Sequence, residues 1–212
     1  MLARDKFPDV MTFDEWVTAG KPLSIEKTVR TIALPPAAPR KGDFTSTAHG
    51  RQFWPLDPRP EDINLDDMAR ALSMQCRWGG HVRRFFSVAQ HCVMVSEHCP
   101  DYPLRGFLHD AAEAYLVDVP SPIKKHLHGY EEIEARLLRA IGARFCISDL
   151  DQMPERVHVE DGRALATEHR DVRTPCDFWS PNIRPWHEPI FAMSQPMAER
   201  AFLQRAAWLG LR

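Results

Sequence analysis

The sequence predicts an all-α protein: about six helices around one core, with a proline-rich arm before it and an irregular extension after it. Apolar residues recur at spacings of three and four in segments spread from Asn64 onward. No strong run alternates with the period of two that a half-buried strand needs, and no internal repeat is found. Most of the 18 prolines fall outside the helical segments.

Residues 1–60 read as an arm packed on the core. Pro22, Pro35, Pro36, Pro39, Pro55, Pro58 and Pro60 are too closely spaced for a helix of normal length. One short helix is expected from Thr12 to about Ala19, with Thr12 as N-cap and Glu15 completing a capping box. Extended segments such as LDPRPEDIN follow. The core is expected over 61–212. LDDMARALSMQ places Leu65, Met68, Ala69 and Leu72 on one helix face, with Asp66 and Asp67 at the positive end of the dipole and Gly79-Gly80 as the stop. Ser87 to about His98 is a second helix, carrying Val88, Cys92 and Val95 inward. Leu104–Val117 (with GFLHDAAEAYLV) is apolar nearly all round and is expected as one buried helix. Tyr130–Phe145 and Pro154 to about Arg170 follow. From about 174 the Pro- and Trp-rich PCDFWSPNIRPWHEP is irregular, and Ala198–Leu211 closes the chain as a helix.

The length of 212 residues suits one domain with extensions. Lys plus Arg number 27 and Asp plus Glu 29, a net charge of −2, which argues against a nucleic-acid polymer or a membrane surface as partner. No stretch approaches the roughly 20 apolar residues of a membrane span. MLARDKFPDVMTFDEW carries charges where a secretory signal has its apolar core, so a cytoplasmic location is expected. The five cysteines are odd in number and form no C-x-x-C pair, which reads as reduced, mostly buried thiols. Any metal would then be held by histidine and carboxylate. Of ten histidines, four (His81, His91, His98 and His109) fall within 29 residues.

His109 and Asp110 adjoin in a segment otherwise apolar or small, and Glu113 lies four and three residues further on, one turn up on the same side. Buried acids need partners. His91 sits beside an apolar helix face, where a lone histidine is more often a satisfied core residue than a ligand. Asp161 is an early acid of a later helix, which dipole preference alone would explain. Together they would offer two nitrogen and two oxygen donors from three helices, a set suited to a divalent ion of the Mn, Fe, Co, Zn group. Arg77 offers a planar fork of donors suited to phosphate, and Trp78 a flat face for a base or sugar. His81 reads equally as a phosphate donor or a surface residue. Lys124 and Lys125 follow a Pro120–Pro122 turn, as phosphate-binding cations or as a solvated basic pair.

The order His91, His109-Asp110, Asp161 resembles the H…HD…D signature of HD-domain metal-dependent phosphohydrolases. The resemblance covers roughly residues 64–172. SVAQHCVMVSEH, RGFLHDAAEAYLVDVPSPIK and VHVEDGRALATE are similar to the branch containing 5′-deoxynucleotidases and phage-type deoxynucleotide phosphohydrolases, and FWPLDPRPEDINLDDMARALSMQCRWGGH to its phage members. It implies an HD-domain helical bundle with His91, His109, Asp110 and Asp161 as metal ligands. It further implies Glu113 as the acid that positions or deprotonates the attacking water, with Asp110 beside it as a catalytic residue. Asp118 would contact the sugar hydroxyl, and Arg77-Trp78 would hold phosphate and nucleoside, with Lys124 or His81 adding positive charge.

The expected activity is hydrolysis of the 5′ phosphoester of deoxynucleotides, from monophosphates to nucleoside plus phosphate or from triphosphates to nucleoside plus triphosphate. One divalent transition metal (Mn, Co, Zn or Fe, with Mg a poorer fit) is expected, because the extra histidine motifs of dinuclear relatives are not evident. The resemblance also implies a homodimer or higher homo-oligomer. A cyclic- or signalling-nucleotide phosphodiesterase and a non-catalytic, nucleotide-sensing or structural HD protein are the alternatives.

Overall fold

The structure, a computed structural model, describes residues 38–178 and 181–212. The short helix expected at Thr12–Ala19, and Trp179, lie outside the described residues. Helices dominate: α1 (Leu65–Met74), α2 (Val88–His98), α3 (Pro103–Leu108), α4 (Glu113–Leu116), α5 (Ser121–Lys124), α6 (Tyr130–Arg144), α7 (Glu155–Asp171) and α8 (Gln195–Trp208). The exception is a two-stranded antiparallel sheet, β1 (Thr45–Ser46) with β2 (Gln52–Phe53), pairing Thr45 with Phe53.

Residues from Arg40 to the C-terminus form one compact unit. Its leading segment is anchored by chemistry visible in the sequence only as scattered charges. Arg40 makes a bidentate pair with Asp62, both bonds 2.7 Å, while its guanidinium lies over Trp54. Phe53 enters the core and stacks on Tyr115 with ring centroids 3.9 Å apart. Pro60–Asp62, expected to be extended, forms a 3-10 turn.

In α1, Met68, Ala69 and Leu72 are buried as their spacing predicts, and Asn64 caps the helix by accepting from the Asp67 N–H. The helix ends at Gln75, not at Gly79-Gly80, because Gln75 turns extended (φ −83°, ψ 127°). α2 is buried over most of its surface, including Gln90 and His91, and packs against α1, α3, α7 and α8. It is the central helix, which is why His91 faces other helices rather than solvent.

The expected third helix is broken. α3 stops at Leu108 and α4 begins at Glu113, and between them hydrogen bonds tighten to the three-residue spacing, Ala111 to Leu108 and Glu113 to Asp110. His109 and Asp110 sit in that break. Close packing places it against α2: a Cβ on Gly106 would lie 3.3 Å from the Ser96 Cα and the Val95 carbonyl oxygen. Glycine is required there by the approach of the two helices.

The tail after α7 is irregular yet tightly bound. Trp186 is fully buried, donates its Nε1–H to Glu160 at 2.8 Å and stacks on His98. Arg170 donates to the Trp186 and Glu188 carbonyls, Asp171 accepts from the Ile190 N–H, and Gln90 bonds Phe191 and Met193. The segment 183–193 therefore straps α7 to α2. Among the described residues no helix is long and apolar enough to cross a membrane.

Candidate metal centre

Three separate stretches deliver the site: α2 brings His91, the α3–α4 break brings His109 and Asp110, and α7 brings Asp161. His91, His109 and Asp161 each offer a ligand atom within 4.8 Å of the others, a group that could hold a metal ion. The His91 and His109 Nε2 atoms are 3.0 Å apart. Asp161 Oδ1 lies 3.2 Å from the first and 3.7 Å from the second, and Asp110 Oδ2 lies 3.3 and 3.2 Å from them. All four expected ligands thus converge.

The donor set fits a metal on chemical grounds. His109 Nδ1 faces the Gly106 carbonyl oxygen at 2.8 Å and must donate to it. His91 Nδ1 faces Glu168 Oε1 at 2.7 Å and donates to that carboxylate. With both Nδ1 atoms committed, the neutral rings turn Nε2 lone pairs toward one another and toward two carboxylates. Such an arrangement asks for a cation. Without one the carboxylates draw protons onto the rings: against burial, Asp110 and Asp161 push His109 up to about 10, and against burial and Arg77, Glu168 and then Asp110 and Asp161 raise His91. Asp110 and Asp161 are held well below the usual carboxylate range against burial, by His109 and His91 in each case.

Arg77 is buried and donates from Nε to Glu168 at 3.1 Å and from Nη1 to Asp110 at 3.3 Å. Its neighbour Trp78 adopts a left-handed backbone (φ 60°, ψ 25°), a conformation that costs a side-chain-bearing residue about 1–3 kcal/mol. Trp78 is held there by an Nε1–H bond to Glu168 at 2.8 Å and by Arg173, whose guanidinium lies 4.3 Å from the ring centroid. The ring is thereby tied to the same carboxylate that His91 Nδ1 meets.

Glu113 is buried, and its Oε2 has no hydrogen-bond partner among the described residues. Burial first, then the charges of Asp110 and Asp118, push its carboxyl well above the usual range. Asp118 is half-buried and also raised, by burial and then by Asp110, against the pull of Arg77. Gln75 fixes both, donating to the Glu113 carbonyl at 2.8 Å and accepting from the Asp118 N–H at 2.9 Å.

Two expected substrate residues have other surroundings. Lys124 pairs with Glu134 at 2.6 Å and lies near the Tyr130 ring, so its ammonium is already engaged by α6. His81 is exposed at the end of the Arg77–Gly80 turn, where its backbone N–H donates to the Trp78 carbonyl. Cys92 and Cys99 are buried, and burial raises both thiols, as core cysteines rather than ligands. Glu168 and Gln75 were given no role from the sequence. A signal for Glu168 existed: it follows Asp161 by seven residues, two turns on the same helix face.

Against curated proteins, the chain is 35% identical over 130 residues to the uncharacterized protein YfdR of Escherichia coli, covering 61% of this chain and 72% of YfdR. The chain belongs to the YfdR family. A second uncharacterized protein of the same kind of likeness, from Rhodobacter capsulatus, is 36% identical over 107 residues, covering 45% of this chain and 55% of its own length. No model of a known protein family matches the chain. Membership in the YfdR family carries no named activity.

Proposed function

We propose that this protein is an HD-domain metal-dependent phosphohydrolase that cleaves the 5′ phosphoester of deoxynucleotides. The observation that carries the reading is the buried Glu113 Oε2, unpartnered among the described residues, beside a His91–His109–Asp161 group completed by Asp110. A purely structural metal site needs neither open coordination nor a nearby base. One divalent ion of the Mn, Co, Zn or Fe group matches the nitrogen and oxygen donors better than Mg. Such an ion would polarise a phosphoryl oxygen and acidify water.

The chain's own residues do the rest. Glu113, whose proton affinity is raised, orients the attacking water and accepts its proton as the new phosphorus–oxygen bond forms. The bond from phosphorus to the 5′ oxygen breaks, that oxygen takes a proton from solvent to leave as the alcohol, and Glu113 returns its proton to solvent. Arg77 neutralises charge on the equatorial oxygens, a task that is mostly positioning and electrostatics. Asp118 accepts from the deoxyribose hydroxyl, and Trp78 packs on the nucleoside. The test is a panel of deoxy- and ribonucleoside mono-, di- and triphosphates with Mn, Co, Zn and Mg, scoring phosphate against triphosphate. Metal-dependent release from deoxynucleotides supports the reading. Release from none of them, with every metal, rejects it.

A further inference from the structure

Glu168 touches both halves of the site, the metal group and the Arg77–Trp78 turn. We infer that Glu168 is a positioning residue whose single carboxylate sets the orientation of the His91 ring and of the Arg77 guanidinium together. The phosphate half of this inference rests on the phosphohydrolase reading, and the metal half rests on the geometry alone.

Glu168 is fully buried on α7. Its two oxygens divide the work. Oε1 accepts from His91 Nδ1 at 2.7 Å, and Oε2 accepts from Arg77 Nε at 3.1 Å and from Trp78 Nε1 at 2.8 Å. A buried carboxylate is costly unless paired and hydrogen-bonded, and here three donors satisfy it.

Each bond has a consequence for the site. Donation from His91 Nδ1 forces the tautomer that leaves Nε2 as a lone pair, aimed at the space shared with His109 Nε2, Asp110 and Asp161. Capture of the Nε edge of Arg77 leaves its Nη1 directed at Asp110, the edge from which a phosphate would be received. The Trp78 bond restrains a residue in a strained left-handed backbone. Arg77 and Trp78 share one turn and His91 lies on α2, yet all three take their bearings from the same group. Were Glu168 only the countercharge of Arg77, the His91 tautomer would not depend on it.

Glutamine at 168 separates these roles, because its amide must point one way or the other. With the NH2 toward His91, the ring has to give up its Nδ1–H and place a hydrogen on Nε2. With the NH2 toward Arg77 and Trp78, two donors meet a third. Aspartate keeps the charge but falls one methylene short of spanning both sides.

The test compares the metal-stripped full-length chain with Glu168→Gln and Glu168→Asp. Co2+ titration is followed by calorimetry and visible absorption, with 15N-resolved imidazole spectra reporting the His91 tautomer, and KM and kcat measured separately on a cleaved deoxynucleotide. The expected result is Co2+ binding weakened about 10–100-fold in Glu168→Gln, together with a changed His91 spectrum. Glu168→Asp shows a smaller loss and decides the matter if the glutamine variant does not fold. Wild-type Co2+ affinity and unchanged His91 signals in the folded variants would overturn the inference. If wild type cleaves no nucleotide while the Co2+ and tautomer effects appear, the phosphohydrolase reading fails and the positioning of His91 by Glu168 stands.

Discussion

Gly106 runs so close to Ser96 that a single added carbon at 106 would sit 3.3 Å from the Ser96 Cα. This contact brings α3 against α2, and the Gly106 carbonyl oxygen then accepts from His109 Nδ1. The same glycine therefore sets both the helix spacing and the orientation of one ring of the metal group.

Gly106→Ala should force the helices apart by a few tenths of an ångström. Overpacking of this kind costs about 1–3 kcal/mol. Chemical denaturation should show the loss as a lower midpoint, and Co2+ titration should show weaker binding, since His109 moves relative to His91. An unchanged midpoint would mean that the helix approach is slack.

Asp161 offers a ligand oxygen while 41% of its side chain is exposed, so its replacement should leave the fold intact. Asp161→Asn is expected to weaken Mn2+ or Co2+ binding beyond the roughly 10–100-fold of an outer-shell change. Asp118→Asn should leave metal affinity near wild type and raise KM for a deoxynucleotide. Calorimetry with the metal alone separates the two.

Glu113→Gln removes a carboxylate whose Oε2 finds no partner among the described residues, so stability should hold and metal should still bind. Turnover should fall about 10²–10⁴-fold if the residue handles the proton of the attacking water. Wild-type kcat in this variant would remove Glu113 from the chemistry.

Trp186 pins the tail to α7 from a fully buried position, and its loss would also strip Glu160 of a donor. Trp186→Ala should cost about 3–5 kcal/mol. Urea unfolding measures it, and limited proteolysis should cut first within the strap at 183–193.

Periodicity made the main helices legible. The faces of α1 and α2, the acids at the start of α6 and the bounds of α7 follow from residue spacing and dipole preference. The break at His109–Ala112 did not show, because HDAAEAYL contains no glycine or proline and consists mostly of good helix formers. The tightening there comes with packing on α2 and with the His109–Gly106 bond, both tertiary effects. The four candidate ligands could be picked out by type, order and resemblance. Glu168 shares the Asp161 face of α7 by its spacing of seven, but its bonds depend on α7 lying against Arg77 and His91, 91 and 77 positions away in the chain. Lys124 suited a phosphate by position in the sequence, but Glu134 on the neighbouring helix engages it.

The most direct test of the central claim is release of phosphate or triphosphate from deoxynucleotides by chelator-treated protein, before and after adding back Mn2+ or Co2+, with Asp110→Ala alongside. Activity should vanish on chelation, return with the metal in the wild type, and not return in Asp110→Ala. Hydrolysis that survives chelation, or that returns equally in Asp110→Ala, would contradict the account.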